Sequence, residues 1–168
     1  MVRLIAEVKV NWTAERTITV PKRVVIRGGH VLSMDPKIGD LYGGDLLVED
    51  DPIAAVAHSL DAGDAEVIDA SGCIVIPGFI DSHRHTWETV IRGIAPDVSL
   101  GGYFDIVLDQ LAPAYRAKDV YAGNYLGALE AIDAGVTTVL DWSHISNTPE
   151  HADEAIRGLQ DARLRAMY

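Results

Sequence analysis

The stretch Pro77–Trp87, PGFIDSHRHTW, sets two histidines one residue apart behind an apolar run that begins at Cys73. Side chains two apart on a strand leave the same face. If this segment is a strand, His83 and His85 can converge on one cation at its carboxyl end, and imidazole nitrogen suits zinc and iron alike. The competing reading is two polar residues at a frayed strand end. With six histidines in 168 residues, a His-x-His spacing alone is a weak signal, so its context has to decide.

Upstream, from Val24 to Pro77, short β-branched runs (RVVIRGGHVLSMD, GGDLLVEDDPIAAVA, AEVIDASGCIVIPG) alternate with turn residues. Gly28-Gly29, Asp35-Pro36, Gly43-Gly44, Asp51-Pro52 and Ser71-Gly72 punctuate them at intervals that suit a β-meander or a small β-sandwich. Phe79-Ile80 then opens a new buried strand leading into the histidines.

Downstream the pattern becomes α/β. YFDIVLDQL from Tyr103 reads as a short helix, and Val120, Leu126, Leu129 and Ile132 recur at near-helical spacing, with Gly135 placed for a left-handed cap. Val136–Asp141, VTTVLD, is a β-branched buried strand. Thr148-Pro149-Glu150 predicts a helix start with a hydroxyl N-cap, running to about Ala162, and LRAMY begins a third strand. Strand, helix, strand, helix, strand is a parallel succession with right-handed crossovers, and a (β/α)8 barrel takes about 250 residues to complete eight repeats. The expected fold class is therefore α/β: an N-terminal extension of unassigned character over 1–23, a small β-sandwich domain over 24–78, and the first βα units of an incomplete TIM barrel over 79–168.

Composition removes several function classes. Fourteen Lys and Arg against 25 Asp and Glu give a net charge of -11, which repels nucleic-acid phosphates and anionic membrane surfaces. The single cysteine, Cys73, cannot form a disulfide within the chain, which leaves the cytoplasm as the default compartment. Set in an apolar strand, Cys73 reads as a buried inert thiol. Charged residues Arg3, Glu7, Lys9, Glu15 and Arg16 interrupt the first twenty residues too often for a signal peptide or a membrane span.

VIPGFIDSHRHTW resembles the signature of the amidohydrolase superfamily, metal-dependent hydrolases whose first barrel strand ends in His-x-His. VVIRGGHVLSMD, GDLLVED, IAAVA and VIDASG are similar to the small β domain that precedes the barrel there. HTWETVIRGIA and GALEAIDAGVTTVLDWSHI resemble its cytosine deaminase and chlorohydrolase-like branch. The resemblance implies that His83 and His85 bind one divalent metal, zinc or alternatively iron, with Asp81 as a supporting partner. It implies hydrolytic deamination or dechlorination of a small heterocyclic substrate by metal-activated water. In such proteins histidines on the fifth and sixth strands, a fifth-strand glutamate and an eighth-strand aspartate complete the site. By that standard the catalytic acid and base are expected beyond Tyr168, and the chain alone is inactive. The alternative is a noncatalytic β module that self-associates or binds a complementary chain.

Other residues carry paired readings. His144, after the strand ending at Asp141, could contact substrate or a pocket carboxylate, or be a surface loop histidine; Asp141 could share that role or cap the loop. Trp87 could stack on a flat heterocycle or belong to the core, and Glu88 could accept from a substrate amine or end a helix. His30, His58 and His151 read as turn or surface residues. Asp51-Pro52 stands where the family pattern has Asp-Gly, so the hairpin there needs another turn type. Arg163 stands where a capping glycine is favoured, at a cost of about 1 kcal/mol.

Overall fold

A computed structural model describes residues 23–50 and 52–168. The expectations for residues 1–22 and for Asp51 lie outside these residues. The chain divides between Pro77 and Gly78 into two compact units.

In the first unit β1 (Arg23–Leu32), β2 (Asp40–Glu49), β3 (Ile53–Ala57), β4 (Glu66–Asp69) and β5 (Ile74–Val75) form one mixed five-stranded sheet. Its order is β3-β2-β1-β4, with β5 also on β1. The expected meander stops at β3. Strands β1, β2 and β3 pair antiparallel, but β4 and β5 run parallel to β1, and the described strands make a single sheet rather than the two layers of a sandwich. The cause is the length of β1: its ten residues let β4 and then β5 dock in turn along the edge opposite β2. Gly28-Gly29 does not turn the chain. Gly28, at φ 76°, bends β1 at a register shift, and the strand continues through His30. His30 is therefore half-buried in the sheet, its ring stacked 3.9 Å from that of Tyr42, and not a turn residue; His58 is exposed.

Asp45 binds this unit together. Only 4% exposed, its carboxylate accepts the backbone N–H groups of Gly28 (3.0 Å) and Leu60 (3.0 Å), and Arg27 Nε lies at 3.4 Å. Burial pushes its pKa up, but these donors outweigh burial and hold the carboxyl below its ordinary value.

In the second unit β6 (Phe79–Arg84), β7 (Val136–Asp141) and β8 (Arg165–Met167) form a parallel sheet in the order β6-β7-β8. Helix α1 (Leu100–Tyr103) continues as a π-helix over Phe104–Leu111; α2 (Ala117–Asp133) and α3 (Pro149–Asp161) supply the two crossovers. The strand-helix alternation is as the sequence predicts, and Gly135, at φ 84°, ends α2.

The packing differs from the expected pattern. Phe79 and Ile80 begin a strand but are 56% and 74% exposed, because among the described residues β6 pairs only with β7. On α2, Leu126, Leu129 and Ile132 are 41–43% exposed, and the buried face is Val120, Gly123, Asn124, Gly127, Ala128 and Ala131. Small residues win this face because the helix seats against the segment after β6: a Cβ on Gly123 would lie 2.5 Å from the Trp87 carbonyl oxygen. Thr148 is the N-cap residue of α3, yet its hydroxyl donates to His151 Nδ1 (2.7 Å) instead of capping a backbone N–H. His151 Nε2–H in turn meets the Tyr115 carbonyl at 3.0 Å, so His151 is buried beneath the helix start and not on the surface. No helix among the described residues is long and apolar enough to cross a membrane.

Arg163 adopts φ 60° at the end of α3. Replacing it by glycine (Arg163→Gly) is expected to raise stability by about 1 kcal/mol, read as a higher urea midpoint. The Asp45 contribution is present above the ordinary carboxyl pKa of 3.8 and is lost as pH falls through its lower folded value. Stability of the wild type should therefore decline more steeply with acid than that of Asp45→Asn, in urea titrations across that range.

Candidate metal centre

Parallel pairing of β6 with β7 sets Arg84 opposite Asp141, so the next residues, His85 and Trp142, emerge side by side at the carboxyl ends of the two strands. The register slips between Asp81 and Arg84. There Asp81 accepts the backbone N–H of His83 (3.2 Å) and pairs with Arg84 at 3.6 Å. Asp81 thus braces the backbone beneath the histidines rather than an imidazole.

The rings of His83 and His85 lie with centroids 5.2 Å apart and planes at 89°. His85 Nδ1 is 2.7 Å from the Trp142 carbonyl oxygen. A carbonyl can only accept, so the proton sits on Nδ1 and the lone pair on Nε2 is left for a ligand. His83 is exposed and stacked on the Trp142 indole, with centroids at 4.6 Å and planes at 14°. This chemistry fits a divalent ion at two neutral imidazoles; among the described residues no third His, Cys, Asp or Glu joins them at ligand distance.

His144 sits against His85, with ring centroids 4.1 Å apart, but both its nitrogens face away to other partners. Trp87 Nε1–H donates to His144 Nδ1 (3.2 Å), which puts the His144 proton on Nε2, 3.3 Å from the Tyr103 hydroxyl. Tyr103 donates in turn to the Glu88 carboxylate. Burial, and then the neighbouring His85, lower the His144 pKa, so this imidazole is neutral at neutral pH. Burial and then Glu88 raise that of the Tyr103 phenol.

Asp141 and Trp87 lie beneath this surface. Trp87 is fully buried, at 0% exposure, and has no free face for a heterocycle; it is a core residue with one polar contact. Asp141, 4% exposed, accepts from the Thr86 backbone N–H (3.1 Å) and from Asn124 Nδ2 (3.0 Å), tying β7 to the segment after β6 and to α2. Burial raises its pKa against the lowering effect of these donors. Glu88 is engaged by Tyr103 and stands 3.8 Å from His144. Tyr168, directly after β8, turns to the loop that leaves β7: its hydroxyl accepts from Ser143 Oγ (3.0 Å) and lies 2.9 Å from Ser146 Oγ. Those contacts fasten β8 to the loop carrying His144. A cleft of about 580 Å³ lined by Arg84, Arg92, Leu129, Glu130, Asp133 and Ala134 contains none of these histidines.

Sequence reasoning missed Trp142 and Tyr103. The signal for Trp142 was its place directly after Asp141, where a parallel neighbour must bring it beside His85. Tyr103 lies 15 residues from Glu88 across an irregular helix, and no local pattern points to it. Removing the buried carboxylate (Asp141→Ala) leaves the Thr86 N–H and the Asn124 amide without their acceptor, and is expected to cost about 3 kcal/mol in urea unfolding.

No protein-family model matches the chain. It is 32% identical over 143 residues to a 5'-deoxyadenosine deaminase of Methanosarcina acetivorans, a match covering 85% of this chain and 32% of that protein. It is 33% identical over 144 residues to a 5-methylthioadenosine/S-adenosylhomocysteine deaminase of Pyrococcus abyssi, again over 85% and 32%. Among solved structures it matches a variant of an atrazine chlorohydrolase from Arthrobacter aurescens, complexed with zinc and atraton, at TM-score 0.77 and 26% identity, over 85% of this chain and 34% of that one. The chain spans about a third of the length of the curated relatives it matches.

Proposed function

Because this chain belongs to the amidohydrolase superfamily, we infer that it carries the first ligand-bearing strand of a metal-dependent aminohydrolase. The observation behind this reading is the fixed tautomer of His85, whose Nδ1–H is engaged by the Trp142 carbonyl so that Nε2 is free. His83 and His85 would hold the ion, with Asp81 bracing the backbone between them. Zinc is favoured over iron by the zinc in the atrazine chlorohydrolase structure. When bound, such an ion supplies a Lewis acid that activates water for attack on a ring carbon, with ammonia or another small group leaving.

Two relatives are named as deaminases of adenosine derivatives, and an adenosine-type nucleoside is the substrate class we assign. Residues 79–168 are read as the opening βα units of a barrel and residues 24–78 as one sheet of a small β-sandwich domain, in a protein of the cytoplasm. A catalytic zinc takes three or more protein ligands. Two imidazoles would hold it loosely, and among the described residues we assign neither the general base nor the acid for the leaving group. Among the described residues one edge of β6 is unpaired, with Phe79 and Ile80 exposed, which favours association with a complementary chain or with a second copy.

Zinc titration of the purified chain should show weak uptake, abolished in His83→Ala and in His85→Ala. Incubation with 5'-deoxyadenosine should release no ammonia. One equivalent of tightly held zinc in a monomer that releases ammonia would contradict the two-ligand site.

A further inference from the structure

Burial does not account for the placement of Trp142. Its indole is 51% exposed, in contrast to the sealed ring of Trp87, yet every polar group of the residue is engaged by β6 and the residue after it. The Trp142 N–H donates to the Arg84 carbonyl (2.8 Å). Its carbonyl accepts His85 Nδ1–H (2.7 Å), and its Nε1–H donates to the Ser82 carbonyl (3.2 Å). The ring face lies nearly parallel to the His83 imidazole. One residue therefore touches four successive positions, Ser82 to His85, and addresses the two histidines by different means.

We propose that Trp142 is the positioning residue of the histidine pair, setting the proton of His85 with its carbonyl and the ring plane of His83 with its indole. The inference rests on the reading of His83 and His85 as metal ligands. A neutral imidazole can carry its proton on either nitrogen, and an exposed one turns freely about its side-chain bonds. A ring already held in one plane, and one already carrying its proton on the far nitrogen, lose less freedom when they bind an ion. The Nε1–H bond to Ser82 is what keeps the indole over His83, and the same anchor holds the Trp142 carbonyl against His85. The backbone bond to Arg84 extends the strand ladder and is open to any residue except proline. The contacts specific to tryptophan are the ring face and Nε1–H.

The test uses the whole chain, with ¹⁵N-labelled histidine, free of metal and at pH 8. Long-range ¹H–¹⁵N spectra should show His85 as a single Nδ1–H tautomer, with the His83 ring protons shifted upfield by the indole. In Trp142→Ala the His83 shift should disappear and His85 should become a tautomer mixture, while far-UV circular dichroism stays as in the wild type. The zinc dissociation constant should rise about tenfold. Trp142→Phe, which keeps a flat face but lacks Nε1–H, should restore part of the His83 shift. The proposal is overturned if Trp142→Ala keeps the wild-type His83 shift and His85 tautomer. Should that variant unfold, Trp142→Phe decides by the same spectra: full wild-type shift and tautomer would refute the Nε1–H anchor. If the wild type takes up no zinc, the ligand reading falls, while the metal-free spectra still decide what Trp142 does to the two rings.

Discussion

The parallel pairing of β6 with β7 is the constraint on which the candidate centre depends. It aligns Arg84 with Asp141 and so decides which side chains meet past the strand ends: imidazoles on one side, an indole on the other. Nothing in the two local sequences would bring His85 and Trp142 within hydrogen-bond reach without that register. Asp141 then fastens the arrangement from below, through the Thr86 N–H and the Asn124 amide. A buried carboxylate is costly unless its lone pairs are filled, and here the two donors come from the segment after β6 and from α2. The same side chain thereby couples strand, helix and the chain beyond the histidines.

Asp45 and Asp141, equally shielded from solvent, show how burial and hydrogen bonding compete, Asp141 being packed more deeply among protein atoms. Both are 4% exposed. Asp45 gathers two backbone donors and a guanidinium, and its acidity increases; Asp141 has one backbone donor and an uncharged amide, and desolvation prevails. The first is settled as an anion that clips the β1–β2 sheet. The second loses acidity by its position, which is tolerable where the carboxylate serves as a joint.

Much of the second unit was legible because its signals are local. Alternation of β-branched runs with a helix closed by Gly135 needs no tertiary information, and the His-x-His spacing needs only the period of a strand. The failures were tertiary. Gly28-Gly29 has the composition of a turn, but β1 continues because two partners on one edge and one on the other hold it extended. Leu126, Leu129 and Ile132 have helical spacing, which reports that a helix has two faces without saying which is covered. The backbone approach at Gly123 decides that in favour of the small residues. Thr148 has the identity of a cap, and a neighbouring imidazole took its hydroxyl. At the site, the histidines could be found by pattern, whereas Trp142 and Tyr103 act through contacts 57 and 15 residues apart in sequence.

The half-exposed indole over His83 also makes the chain its own optical probe. Trp87 is buried with its N–H on His144, while Trp142 stands at a wet surface with an imidazole against its face. Any event that lifts or reorients the His83 imidazole changes the surroundings of Trp142, one of the three tryptophans of the chain, so the state of that histidine is written into the colour and yield of part of the tryptophan light.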